Sequence, residues 1–449
     1  MSDPAQPASP GTSGRLLKIL GVGFGVAVAI GNTIAAGIVR TPGDIAEWLP
    51  NVYLFLGVWV LGGLYALLGA NALAELGAMI PRSGGQYPFS RRAFGDYVGF
   101  IVGWSDWLST CGSLATAAFV IGEYSDSLIP ALAGRQQQIA IGVTVLFALL
   151  QWRGLRWGSR TQNFASLLKG AGFLVLAGAC FLMANRLSPP PVEPPSPTAA
   201  TLIAVILALQ AVIYTYDGWS GPVYFGEEER HPARDIPRGL FLGCLSIMGI
   251  YLALNAALVY ALPIDQIAGH DFALGLAATT VFGHHGEMWA RWLMVLSLLA
   301  GINAYHLMAS RVLFGLSRDG LCPAAVARLN SGGTPTVALC LGMAIAAFFI
   351  LWSGTFQRLI AVMSFFFVAN YVMSFAALFV LRIREPNTPR PFRAWGHPWT
   401  TGLALVGSLT FLAGAVISDS RNSVWALALL AASYPVYRFT RRTYVHGVP

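Results

Sequence analysis

The chain has 449 residues, 55% of them apolar, with a mean hydropathy of +0.61 and only 11% charged residues. That charge fraction is less than half of the roughly 25% usual in soluble domains, which excludes a multi-domain cytosolic enzyme, a disordered chain and a disulfide-rich secreted chain. The net charge of +8 is spread in small groups between apolar runs, not gathered into the patch that nucleic acid requires.

The first fourteen residues, MSDPAQPASPGTSG, are polar and carry no apolar run of the kind a cleaved leader needs. A membrane span needs about 20 apolar residues. Apolar runs predict twelve spans, at 20–48, 51–76, 96–122, 136–151, 162–184, 199–225, 239–262, 288–312, 335–353, 358–381, 399–417 and 422–438. With the N-terminus inside, 21 of the 28 Lys and Arg fall on the inner side and 5 on the outer, so both termini are expected in the cytoplasm. Ser188–Pro197, SPPPVEPPSP, is an outer polyproline-like linker between the fifth and sixth spans. The five cysteines, at 111, 180, 244, 322 and 340, have no metal-ligand spacing and read as apolar filler.

Two spans are interrupted. The first contains Gly31-Asn32-Thr33-Ile34-Ala35-Ala36-Gly37, and the sixth contains Tyr214-Thr215-Tyr216-Asp217-Gly218-Trp219-Ser220-Gly221-Pro222. Unwound backbone at membrane depth is tolerated only where it lines a cavity or is buried in protein. Matching interruptions in two halves point to a transporter binding site. A half-helix N-terminus offers unpaired N–H groups and a positive dipole end for a carboxylate. The half-helix before it ends in free C=O groups that suit an ammonium, so the pair fits the zwitterion of a free α-amino acid. The plainer reading, glycines serving only close helix packing, fits Gly31 and Ala35 but not Asn32, Asp217 and the second break.

These residues resemble a known family. Ala29–Pro42 (AIGNTIAAGIVRTP) looks like the first-span signature of the amino acid–polyamine–organocation superfamily. Tyr216–Arg238 (YDGWSGPVYFGEEERHPARDIPR) resembles the sixth-span signature of its L-type amino acid transporter branch. Arg82–Gly95, Gln162–Lys169 and Ser310–Pro323 are similar to the loop after the second span, a fifth-span element and the exit of the eighth span. The resemblance covers about nine-tenths of the chain. It implies a leucine-transporter-type 5+5 inverted repeat with broken helices 1 and 6, and amino acid transport by alternating access.

Carried over residue by residue, the resemblance places the substrate carboxylate on N–H groups of Ala35, Ala36 and Gly37. It places the ammonium on the C=O groups of Thr33 and Tyr214, with Asp217 as a further acceptor. Ile34 belongs to the same substrate-binding stretch. Tyr216 and Trp219 would shape the side-chain pocket and gate, and Asn303 would stand near the sixth-span break; the plainer readings are packing aromatics and, for Asn303, helix–helix hydrogen bonding. Ala35 and Val39 depart from the family's usual glycine and aromatic, which leaves the substrate open.

Lys169 is a charge inside the fifth span. It reads either as a functional group standing where sodium-coupled relatives bind their ion, fixed or releasing a proton, or as a lysine snorkelling from a helix start near Gln162. Asp217 reads either as a helix cap or as the reader of a cationic side chain. Glu227, Glu228 and Glu229 with Arg82, Arg91 and Arg92 suggest an inner ion-pair gate, with Glu75 in the same region; the plainer reading is a solvated charge run.

The expectation is an all-α polytopic membrane protein of 12 transmembrane helices. Spans 1–5 occupy 20–184 and spans 6–10 occupy 199–381, joined by the linker 185–198. Spans 11–12 follow over 382–438, with cytoplasmic tails at 1–19 and 439–449. It would be a secondary carrier of free, neutral amino acids, working as exchanger or proton symporter in a bacterial inner membrane. The alternatives are a cationic amino acid or polyamine carrier and a membrane-embedded sensor. No cofactor, metal, nucleic acid or catalytic motif is expected. No covalent ancillary subunit is expected either, because the loop 123–135 lacks the cysteine through which L-type relatives pair.

Overall fold

The computed structural model describes residues 16–35, 37–184, 199–352, 356–418 and 420–445. Ala36 and the proline-rich linker lie outside the described residues. The chain is helical throughout, and no strand occurs among the described residues. In chain order the helices are α1 (Val22–Thr33), α2 (Gly37–Trp48), α3 (Val52–Met79), α4 (Tyr87–Phe94), α5 (Asp96–Leu128), α6 (Gln136–Trp152), α7 (Leu155–Met183), α8 (Ala199–Tyr216) and α9 (Pro232–Ala261). They continue with α10 (Ile264–Ile267), α11 (Ala273–Phe282), α12 (Gly286–Arg318), α13 (Thr336–Trp352), α14 (Phe356–Arg384), α15 (Trp399–Ser418), α16 (Ser420–Ala431) and α17 (Ser433–Val445).

Six helical stretches among the described residues are long and apolar enough to cross a membrane, and the bent pair α1–α2 makes a seventh. The surface supports a lipid environment. Leu182 is 87% exposed, Ile383 79% and Leu167 74%, an apolar skin that water would not tolerate. The most extensive helix packing is of α3 along α9 and of α5 along α12, while α1 lies against α9, α7 and α12.

The two interruptions are present. α1 stops at Thr33 where Ile34 turns extended, and α2 leaves at 53° to it. α8 stops at Tyr216, and turns with a short 3-10 segment, Gly221–Tyr224, carry the chain onward. The apolar run predicted to continue to 225 is therefore not one helix.

Other boundaries move outward. α5, α7, α9 and α12 run past their apolar cores because polar residues at helix ends extend the helix without adding hydropathy. The shift matters most for α7, which begins at Leu155 rather than near Gln162. The short helices α4, α10 and α11 had no counterpart in the sequence reading.

Candidate functional site

The break in α1 lies at the centre of the bundle, and its carbonyls all have partners from other helices. The Lys169 ammonium on α7 donates to the Gly31 carbonyl at 2.9 Å and the Ile30 carbonyl at 3.4 Å. The Tyr305 hydroxyl on α12 donates to Asn32 C=O at 3.2 Å, Tyr251 on α9 to Thr33 C=O at 3.0 Å, and Ser297 on α12 to Ile34 C=O at 2.8 Å. An unwound segment must satisfy each freed polar group where no water reaches it. Here four consecutive carbonyls are answered by three helices.

Lys169 is fully buried and stands fourteen residues into α7, about 20 Å along the axis at 1.5 Å per residue. With its ammonium on the break, the snorkelling alternative fails. One turn and two turns before Lys169, Ser166 and Gln162 donate to Ala27 C=O at 2.7 and 3.2 Å. This polar stripe holds α7 so close to α1 that a β-carbon on Gly31 would overlap the Gln162 amide.

The second break is tied to the first. Asn32 donates its side-chain amide to Gly218 C=O at 3.1 Å, and Thr41 on α2 shares a hydrogen bond with Thr215 at 2.8 Å. Tyr251 also reaches Thr215 C=O, at 3.0 Å. Gly218 has φ +112°, and a β-carbon there would press on Asn32 and Thr33. Asp217 accepts a 2.6 Å hydrogen bond from Tyr371 on α14. The segment after it is not an α-helix, and its short 3-10 turn has no side-chain cap, so Asp217 is not the helix cap that the sequence allowed.

Between the breaks lies a cavity of about 280 Å³. It is lined by Thr33, Ala35 and Gly37 from the first break, by Tyr214 and Asp217 from the second, and by Ser113 and Thr116 of α5. Toward its mouth it is lined by Arg40 and Asp44 of α2. Gly37 opens α2, whose first N–H groups lack intrahelical acceptors.

Four of the expected site residues do not line this cavity. Ile34 is fully buried. Tyr216 points away, its hydroxyl donating to Trp59 C=O at 3.1 Å. Trp219 is buried and stacks on Tyr371, ring centroids 5.0 Å apart. Asn303 faces another seam altogether: it accepts from Gln151 at 2.6 Å and donates to Gln162 at 2.7 Å and Gly158 C=O at 3.0 Å, knitting α12 to α6 and α7. Ala36 lies outside the described residues. The sequence reading passed over Ser113 and Thr116. Two hydroxyls one turn apart in the apolar α5 were the available signal.

The end of the bundle below the cavity is held by ion pairs. Asp319 is the hub, with Arg91 at 2.8 Å, Arg82 at 3.3 Å, Arg318 at 3.2 Å and the Tyr87 hydroxyl at 2.6 Å. Burial works against the Asp319 carboxylate, but Arg318, Tyr87 and Arg82 together hold it below the usual carboxylate range. Glu227 joins through Arg318 and Arg82. Arg311 and Glu228 form a fully buried pair at 2.9 Å.

The predicted grouping needs two corrections. Arg92 pairs instead with Glu385 at the end of α14, beside which Glu75 pairs with Arg382 and Arg390. Glu229 makes no ion pair among the described residues, and burial, Asp235 and Glu228 push its carboxyl up to about 8.

A membrane-embedded helical bundle with a cavity between two broken helices is the architecture of a carrier. Residues 20–435 match the family model for amino acid permeases, so the chain belongs to the amino acid permease family. It is similar to the serine/threonine exchanger SteT of Bacillus subtilis, 26% identical over 94% of this chain and 96% of the relative. It is similar to the mouse Asc-type amino acid transporter 1, 28% identical over 84% of this chain and 73% of the relative. The human large neutral amino acids transporter small subunit 2 is 25% identical over 91% and 82%. The chain is thus a secondary amino acid transporter, not an enzyme.

Proposed function

We propose that this permease carries neutral amino acids through the cavity between the breaks, within a twelve-span 5+5 inverted repeat. The observation that carries the reading is that a helix N-terminus at Gly37 and the Asp217 carboxylate line one cavity. The substrate carboxylate binds the N–H groups at Ala35, Ala36 and Gly37. The ammonium binds at Asp217. Thr33 and Tyr214 contribute less than first expected, because their carbonyls already accept from Tyr251 and from Asp217 N–H.

The repeat assignment puts spans 1–5 at 20–184 and spans 6–10 at 199–381. The closest helix partners, α3 with α9 and α5 with α12, are then each five spans apart, as two interlocked copies would pair. With both termini in the cytoplasm, as the Lys and Arg distribution favours, the ion-paired end is the closed inner gate and the cavity faces outward. Rocking of one bundle against the other reverses the access. Lys169 takes the place of a coupling ion by bridging α7 to α1, and transport is exchange or proton symport. The neutral substrate class follows the relatives named for serine, threonine and large neutral amino acids. Covalent pairing through the loop 123–135 is unavailable, since it holds no cysteine. A bacterial inner membrane is the location we assign.

A second reading has one observation in its favour. Asp217 lines the cavity, so it could read a cationic side chain instead of the α-ammonium. Proteoliposomes loaded with one amino acid and offered a labelled panel, with and without a pH gradient, separate these readings. Saturable uptake of neutral amino acids is expected. Uptake confined to arginine and lysine would replace the first reading with the second.

A further inference from the structure

Beside the ion-paired end is a second set of arginines arranged differently. Arg156 and Arg160 sit one turn apart at the start of α7, and Arg230 projects from the segment after the second break. The three line one groove of about 340 Å³ with Ser159 and Asn163. An adjoining hollow of about 190 Å³ shares Ser159, Asn163 and Arg230 and runs to the first turn of α1. Arg82, Arg91, Arg92, Arg234, Arg311, Arg318, Arg382 and Arg390 each have a carboxylate within 4.0 Å. Arg156, Arg160 and Arg230 have no such partner among the described residues. Three like charges around one groove repel each other unless an anion joins them.

The rest of the groove suits the same kind of guest. α1 begins beside the hollow, and its cap residue Gly21 has no side chain to accept from the first-turn N–H groups of Val22 and Gly23, which line the hollow. The rim is fixed, because Leu20 N–H donates to Glu228 C=O and Arg230 N–H to Leu20 C=O, both at 3.0 Å. The acid next in sequence to Arg230 is Glu229, which makes no ion pair with it and whose carboxyl burial, Asp235 and Glu228 push up to about 8 against the pull of Arg230.

The outer face of α7 identifies the level of the groove. Trp157 beside the arginines is 53% exposed, and Phe164 (69%) and Leu167 (74%) continue as an apolar strip along the helix. Exposed tryptophan next to arginine marks the headgroup level, with the apolar strip in the acyl region.

We propose that this groove binds a phosphate-bearing anion, in the membrane the headgroup of an anionic phospholipid, clasped by Arg156, Arg160 and Arg230. Guanidinium groups hold phosphate oxygens bidentately, and basic pockets between membrane helices suit such headgroups. The bound phosphate joins α7, the start of α1 and the segment leaving the second break. It therefore braces the ion-paired end, independently of which amino acid is carried.

The test is native mass spectrometry of the full-length protein in detergent, titrated with phosphatidylglycerol, phosphatidylcholine or inorganic phosphate. Phosphatidylglycerol is expected to bind about tenfold more tightly than phosphatidylcholine. The Arg156→Gln/Arg160→Gln double variant is expected to lose that preference, while Arg153→Gln, outside the groove, retains it. If the double variant does not fold, Arg230→Gln on its exposed segment gives the same readout. Competition by millimolar inorganic phosphate would identify the phosphate alone as sufficient, and failure to compete would assign the site to the lipid. Equal phosphatidylglycerol binding by wild type and the groove variants, or no preference over phosphatidylcholine, overturns the proposal.

Discussion

The two breaks are satisfied in different ways. In the first, the carbonyls of Gly31, Asn32, Thr33 and Ile34 all receive side-chain donors from α7, α9 and α12. In the second, the Tyr214 carbonyl accepts from its own segment through Asp217 N–H at 3.0 Å, and Gly218 C=O relies on Asn32 from the first break. The first break is thus fixed by the surrounding bundle. The second is held by contacts within its own segment, by the first break and by two side chains of other helices, Tyr251 on Thr215 C=O and Tyr371 on Asp217. A fixed break with its carbonyls occupied has only N–H groups left to offer. A more local one that presents a carboxylate offers negative charge. On the proposed reading, this asymmetry gives the carboxylate of a zwitterion to the first break and its ammonium to the second.

Removing the strongest support of the first break should have the largest effect. Lys169→Ala leaves the Gly31 carbonyl buried without its donor, at a cost of about 1–3 kcal/mol, and opens a gap between α7 and α1. Proteoliposome uptake is expected to fall at least about tenfold. Lys169→Gln, which retains a donor, should recover part of it if the role is structural. Full activity and unchanged pH dependence in both variants would show that the first break does not depend on α7.

A smaller and more selective effect is expected at the second break. Asp217→Asn keeps a hydrogen-bond partner for Tyr371 but removes the charge. A charge-assisted bond worth about 1.5–3 kcal/mol corresponds to a KM raised roughly 10- to 150-fold for every amino acid, with the fold intact. Loss of arginine and lysine uptake with leucine spared would instead mean that Asp217 reads the side chain.

An effect on stability with pH, and the smallest on transport, concerns the segment leaving the second break. The Glu229 carboxyl is raised to about 8, so the folded protein holds a proton that the unfolded chain releases near its usual value of about 4.3. That contribution is full below the unfolded value and is lost as pH rises toward 8. Thermal stability is therefore expected to decline between about pH 5 and 8, and Glu229→Gln should flatten that part of the profile. Asp319 has the opposite sign. Its stabilisation is present above the usual carboxylate range and is lost only as pH falls below it.

The sequence made both breaks legible because glycine, asparagine and aspartate in the middle of apolar spans are local signals. It did not show what satisfies them. Tyr251 reaches Thr33 across 218 positions, Ser297 reaches Ile34 across 263, and Tyr305 reaches Asn32 across 273. None of these pairings leaves a trace in hydropathy or spacing. The choice between the two readings of Asn303 is hidden for the same reason: its position on α12 is readable, but that it bonds to neighbouring helices depends on how α6 and α7 pack. The Lys169 ambiguity was a boundary error. Hydropathy starts α7 where apolar residues begin, whereas the helix starts seven residues earlier among arginines and tryptophan.

The central claim is that the cavity between the breaks is where the amino acid binds. The most direct measurement is equilibrium binding of labelled neutral amino acids to the purified protein, comparing wild type with Ala117→Phe, which places a ring in the cavity wall beside Ser113 and Thr116. The account predicts saturable binding to wild type and its loss in the variant at matched thermal stability. Undiminished binding in a folded Ala117→Phe protein would contradict it.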